Sequence, residues 1–166
     1  MRRTLFPTNP ETNLTASEVA ALKRGGFELA PLSPTSSDAL ARTAAEYAVL
    51  RDTSLTVAET AQKLGVHPSR VRQLLAAHKI YGLQIRGAWK IPLFQFVDDR
   101  LLPGLEEVVP ALPKDLHPIA IYHWFTTPNH DLTPEILGRA LSPREWLLTG
   151  YSHTVVAELA TDLESL

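Results

Sequence analysis

Within the run His67-Pro-Ser-Arg-Val-Arg-Gln-Leu-Leu-Ala76, four side chains that can grip a polyanion or read a base edge fall close together: Ser69, Arg70, Arg72 and Gln73. Arginine pairs in bidentate fashion with guanine and glutamine with adenine, so Arg72 and Gln73 are candidates for base edges. Ser69 and Arg70 suit phosphate oxygens. Lys79, Arg86 and Lys90 extend the same basic stretch. The alternative for any one of these side chains is a solvated surface charge.

Other chemistry finds little support. His117, His123, His130 and His153 invite a metal site, but His117 and His123 are six residues apart and do not share a helix face. The chain has no cysteine, which removes disulfides, thiolate metal sites and cysteine nucleophiles together. It has no G-x-S-x-G, no phosphate-binding glycine loop and no G-x-G-x-x-G. Ser152-His153 and Asp162 have no supporting context. The expectation is a protein that is not an enzyme and uses no cofactor or metal.

The elements that must position the basic side chains are legible. Thr56-Val-Ala-Glu59 is a capping box, in which the threonine hydroxyl accepts from an amide of the first turn and the glutamate reaches back. It predicts a helix through Leu64. Gly65 supplies the positive φ of a sharp turn, and Pro68 fits the first turn of a second helix reaching about His78. Ala61 is small enough for two helices to approach closely, while Leu64, Val66, Val71 and Leu74 fall where they would bind the pair together. Thr60 occupies a slot that is usually more apolar. Beyond this pair, Leu83 and Ile85 alternate with polar residues, Gly87 gives a turn, and Trp89 and Ile91 resume the alternation, which predicts a small hairpin with Arg86 and Lys90 near its tip. Trp89 reads as a packing anchor, the alternative being a base-stacking group.

The stretch from Leu55 to Phe96 resembles the winged helix-turn-helix of the excisionase and MerR type, running from a capped helix through a recognition helix to a wing that ends in Ile91-Pro92. The resemblance implies binding to double-stranded DNA, commonly by homodimers or cooperative arrays, with Arg86 and Lys90 as wing contacts.

Charge is distributed accordingly. Residues 54–97 carry six basic side chains against Glu59 alone, whereas residues 98–166 carry four basic and eleven acidic ones. A basic middle and an acidic end suggest one surface for phosphates and another for something else. The N-terminal sequence Met-Arg-Arg-Thr-Leu-Phe-Pro lacks the apolar run of a signal peptide. No apolar stretch is long enough to span a membrane, and a cytoplasmic, nucleoid-associated protein is expected.

Composition divides the chain into four parts: N-terminal helices over 1–53, a winged helix-turn-helix over 54–97, a linker over 98–115 broken by Pro103, Pro110 and Pro113, and a helical block over 116–166. In the first part Thr15-Ala-Ser-Glu18 caps a short helix ending at Gly25-Gly26. A second helix follows from Ser36 or Ser37 to about Asp52, with an apolar stripe of Leu40, Ala44, Tyr47 and Leu50 that packs on the next domain or forms a dimer seam. In the last part, helix starts are expected near Pro118, at Thr133-Pro134-Glu135 and at Ser142-Pro143-Arg144-Glu145. The final helix spans about Thr154 to Leu163. The fold class expected is mainly α: a winged helix-turn-helix with a small β-hairpin, plus a C-terminal helical domain.

The C-terminal run containing Trp124, Pro128-Asn129, Leu132, Pro143, Trp146-Leu147 and Gly150 resembles the toxin-binding domain of the Xre/MbcA/ParS antitoxins, with a longer stretch around Thr133 to Ala140 than that family shows. This resemblance implies an antitoxin that represses its own operon and neutralises a RES-domain, NAD-degrading toxin. The partner face would include Trp124, Asn129, Trp146, Glu158 and Leu166. The alternatives are a stand-alone dimeric transcriptional regulator, with the tryptophans in the core of a helical domain, and an architectural or partition factor that coats DNA.

Overall fold

A computed structural model describes residues 36–163. The Thr15–Glu18 capping box, the Gly25-Gly26 stop and Leu166 lie outside the described residues. Helix α1 (Ser36–Thr53) leads into a two-residue strand β1 (Leu55–Thr56). In the expected apolar stripe of α1, Leu50 is buried and Tyr47 packs against the core, but Leu40 and Ala44 are exposed.

Two short helices follow, α2 (Val57–Leu64) and α3 (Pro68–Ala76). The Thr56 hydroxyl accepts from the Glu59 amide at 3.2 Å, and the Glu59 carboxylate accepts from the Thr56 amide at 2.7 Å. Both bonds satisfy donors that a helix start leaves orphaned. Gly65 adopts φ 65° and closes α2 as expected. Ala61, Val71, Leu74 and Leu75 are buried where the two helices meet. Val66, expected among them, is exposed on the turn, because the reversal at Gly65 carries it away from the seam.

Strands β2 (Leu83–Ile85) and β3 (Ala88–Ile91) form the hairpin, with Ile85 opposite Ala88 across a two-residue loop. Arg86 and Gly87 both have positive φ, 49° and 82°, the combination that matches a tight turn to the twist of its strands. Strand β1 adds to the other side of β3, with Leu55 opposite Ile91 and Thr56 opposite Lys90, so the sheet order is β1-β3-β2. The sequence gives little sign of this third strand, since two residues are too few to show a period.

The segment expected as a linker is ordered structure. After a single 3₁₀ turn (Leu93–Gln95), strands β4 (Phe96–Val97) and β5 (Arg100–Leu101) pair, and helix α4 spans Leu105–Ala111. The prolines that suggested a linker sit where they do little harm. Pro103 precedes the helix, Pro110 lies in its last turn and Pro113 follows it. Leu105, Val108 and Val109 turn one face inward. Gly104 (φ 73°) starts the helix directly beneath His153, whose Cβ would collide with any added side chain.

Helices α5 (Pro118–Thr126), α6 (Pro143–Leu148) and α7 (His153–Asp162) complete the chain, α4 packing on α7 and α5 on α6. The helix expected at Thr133 does not form. Pro134 opens one turn that Gly138 (φ 61°) ends, and Ile136 is 93% exposed, so there is no apolar face to hold a helix down. The elements from Thr43 onward form one compact unit around a continuous apolar core from Leu50 to Ala160. The molecule is mainly helical, a winged helix-turn-helix with a small β-hairpin joined to a C-terminal helical block. No helix among the described residues is long and apolar enough to cross a membrane.

Candidate nucleic-acid interface

Helix α3 is held by its inner face and by its start. Val71, Leu74 and Leu75 are buried, while Ser69, Arg70, Arg72, Gln73 and Ala76 are all exposed. The N-cap is His67, a residue without assigned role in the sequence reading. Its Nδ1 accepts from the Ser69 amide at 3.2 Å and lies 2.9 Å from the Ser69 hydroxyl. The signal for it was its position immediately before Pro68, because proline at the first helical position places the cap one residue upstream.

The four polar side chains named from the sequence on α3 therefore project outward together. Neither Arg70 nor Arg72 forms an ion pair among the described residues. Arg86 stands at the hairpin turn, exposed and likewise without an ion pair among them. The three arginines are thus not answered by an acidic side chain among the described residues, whereas the Ser69 hydroxyl is engaged with His67.

Two of the expected cations are placed differently. Lys79 lies past the end of α3 with its Nζ 2.9 Å from Glu106 of α4, so part of its charge is answered within the protein. Lys90 is not at the tip. It pairs with Thr56 and Leu83 at the base of the sheet, half-buried, with its Nζ 3.4 Å from the Ser54 carbonyl. There it helps hold the Asp52 and Glu59 carboxyls below their usual range. The larger causes are the Arg51 side chain for Asp52 and the Thr56 cap for Glu59. Trp89 packs against Gly82, where a Cβ would come within 2.9 Å of the indole Cε3.

The hairpin is fixed to the rest by a residue the sequence reading passed over. Gln95 is fully buried. Its Oε1 accepts from the Tyr81 amide at 2.6 Å, and its Nε2 donates to the Tyr81 carbonyl at 2.7 Å and the Pro92 carbonyl at 3.3 Å. One side-chain amide thus satisfies both backbone groups of the residue that leads into β2. Burial also pushes the Tyr81 phenol up to about 12. From the other side, Arg144 of α6 donates to the Phe94 carbonyl at 3.1 Å and the Phe96 carbonyl at 3.0 Å.

The residues proposed from sequence as a partner face are largely occupied. Asn129 accepts from the Asp131 amide through its side chain and bridges Leu141 through its backbone. Trp146 donates its indole N–H to the Ser152 carbonyl at 2.9 Å and stacks on Tyr151. Trp124 meets Phe125 edge-on at 4.8 Å between centroids and is half-buried. Glu158 is exposed on α7. Among the described residues no three His, Asp or Glu side chains group to hold a metal ion.

No protein-family model matches the chain, and no curated protein matches it. Among solved structures it is similar to the NMR structure of Rv2175c, with 20% identity and a TM-score of 0.45 over 66% of this chain and 80% of that one.

Proposed function

We propose that the protein binds double-stranded DNA, with α3 in the major groove and the β2–β3 hairpin against the flanking backbone, and that it regulates transcription. The observation that supports this reading is the outer face of α3, where Ser69, Arg70, Arg72 and Gln73 are exposed on a helix whose opposite face is buried. A helix fits the major groove, where base edges are distinguishable, whereas a hairpin tip carrying Arg86 suits phosphate or the minor groove. In this reading the protein performs no reaction of its own.

The experiment is selection of a preferred duplex by the full chain, followed by affinity measurements on that duplex and on random DNA. Arg72→Ala should lose about 5- to 150-fold on the selected site, the worth of one bidentate pair, and relax the preference at one base. Arg86→Ala should weaken all duplexes alike and lower the salt slope by about one. Equal losses on all DNA from both variants would remove the base-reading role of Arg72, and no binding at about 50 mM salt would end the whole reading. A homodimer on paired half-sites would protect positions about 34 Å apart, which footprinting reads directly.

A second reading, that of an antitoxin, draws on the exposure of Ile136, Leu137 and Leu148 in the block that resembles a toxin-binding domain. Apolar side chains left open to solvent suit a protein partner. Co-expression with a RES-domain toxin tests it: rescue of growth supports the reading, and undiminished toxicity removes it.

A further inference from the structure

Between the end of α3, strand β3 and helices α4 and α5 lies a cavity of about 200 Å³. Its floor is apolar, formed by the buried side chains of Leu75, Val109 and Ile121. One wall is the Trp89 ring, which is 37% exposed even though Gly82 lies against it. The rim carries His78 and Lys114, both exposed and neither in an ion pair among the described residues. Among the described residues no aspartate or glutamate lines the cavity, although residues 98–166 hold eleven acidic side chains against four basic ones.

We propose that this cavity binds a small, free aromatic carboxylate, its ring against Trp89 and its carboxylate at Lys114, and that occupancy changes how α3 and the hairpin meet DNA. Size and polarity agree. An apolar cavity of ~150 Å³ takes up benzene, which leaves room here for a carboxylate as well. An apolar lining with few charged groups is the usual construction of a small-molecule site, and among the described residues the charge bordering this one is the Lys114 ammonium. The ligand would touch Leu75 of the recognition helix and Trp89 of the hairpin while resting on α4 and α5. Contacts that differ between two arrangements of those elements are what lets a ligand shift their balance. The effect on DNA rests on the reading proposed above; the binding itself does not.

The test uses the full chain and benzoate, followed by NMR without DNA. Saturable shifts at Gly82, Trp89 and Ile121 are expected, with a Kd on the order of 1 mM. Lys114→Glu, a change at an exposed position, should weaken binding about tenfold or more, and benzamide, with the same ring and no charge, should bind the wild type as poorly. Absence of saturation, shifts confined to other residues, or equal binding of benzamide overturns the assignment. In a second arm, benzoate at a concentration that saturates the wild type should change the DNA affinity of the wild type by about fivefold or more and that of Lys114→Glu by clearly less. Unchanged DNA affinity with benzoate bound overturns the regulatory half. Failure to bind any DNA while benzoate still binds would strike the DNA reading alone and leave the cavity assignment standing.

Discussion

Helices α3 and α5 begin with the same two residues, and they put their surfaces to opposite uses. His67-Pro68 and His117-Pro118 each place a histidine at the N-cap whose Nδ1 accepts the amide two residues on, at 3.2 Å in both cases. Helices α2 and α6 likewise share a capping box, Thr56 with Glu59 and Ser142 with Glu145. Yet the outward arginines of α3 have no ion pair among the described residues, whereas Arg144 and Trp146 of α6 donate to backbone carbonyls and His123 of α5 lies 2.8 Å from Glu46. Start signals fix where a helix begins. What its polar side chains are left to bind decides whether the face is scaffold or available surface.

Variants can press on that contrast. The largest effect is expected at the joint between the two regions. Gln95→Ala orphans the amide and carbonyl of Tyr81 in a buried place and should cost about 3 kcal/mol, read from the urea midpoint. A loss below about 1 kcal/mol would show that the hairpin is held elsewhere. Arg144→Ala removes two charge-assisted bonds and should cost about 2 kcal/mol, while Arg72→Ala stays within about 0.5 kcal/mol of wild type. If both arginines proved equally dispensable to stability, the division into scaffold and surface would fail. Thr60 works in the other direction. Its hydroxyl is buried and has no hydrogen-bond partner among the described residues, so Thr60→Val should gain about 1 kcal/mol.

The smallest effect is common to both regions. Glu59 and Glu145 are held below the usual carboxylate value of 4.5, chiefly by the backbone amides of Thr56 and Ser142. A depressed folded pKa means stability that is present above 4.5 and lost as pH falls through the lower folded values. The urea midpoint should therefore drop in that acidic window, and the double variant Glu59→Gln, Glu145→Gln should flatten the drop. An unchanged pH dependence in the double variant would mean that the caps do not contribute to it.

The helix-turn-helix was legible because its signals are local: a capping box, a glycine in the left-handed region and a proline at a helix start. The hairpin was legible from its alternation. Strands β1, β4 and β5 were not, since two residues carry no period and their pairing partners are distant or loop-bound. Three prolines concealed α4, whose evidence lay in the spacing of Leu105, Val108 and Val109. Thr133-Pro134 promised a helix because capping grammar is blind to burial. The outward arginines could be placed from spacing alone, but Lys90 could not, because its surroundings depend on β1. Gln95 gave one faint sign, a lone amide between Phe94 and Phe96.

Thr56 belongs to two structures at once, the last rung of β1 opposite Lys90 and the cap of α2. Strand register and helix phase are thereby a single variable. An inserted residue ahead of Leu55 leaves that setting intact, whereas one between Thr56 and Glu59 moves the glutamate off the position from which it reaches back to the Thr56 amide. The spacing between the helical pair and the hairpin is thus indexed at one side chain.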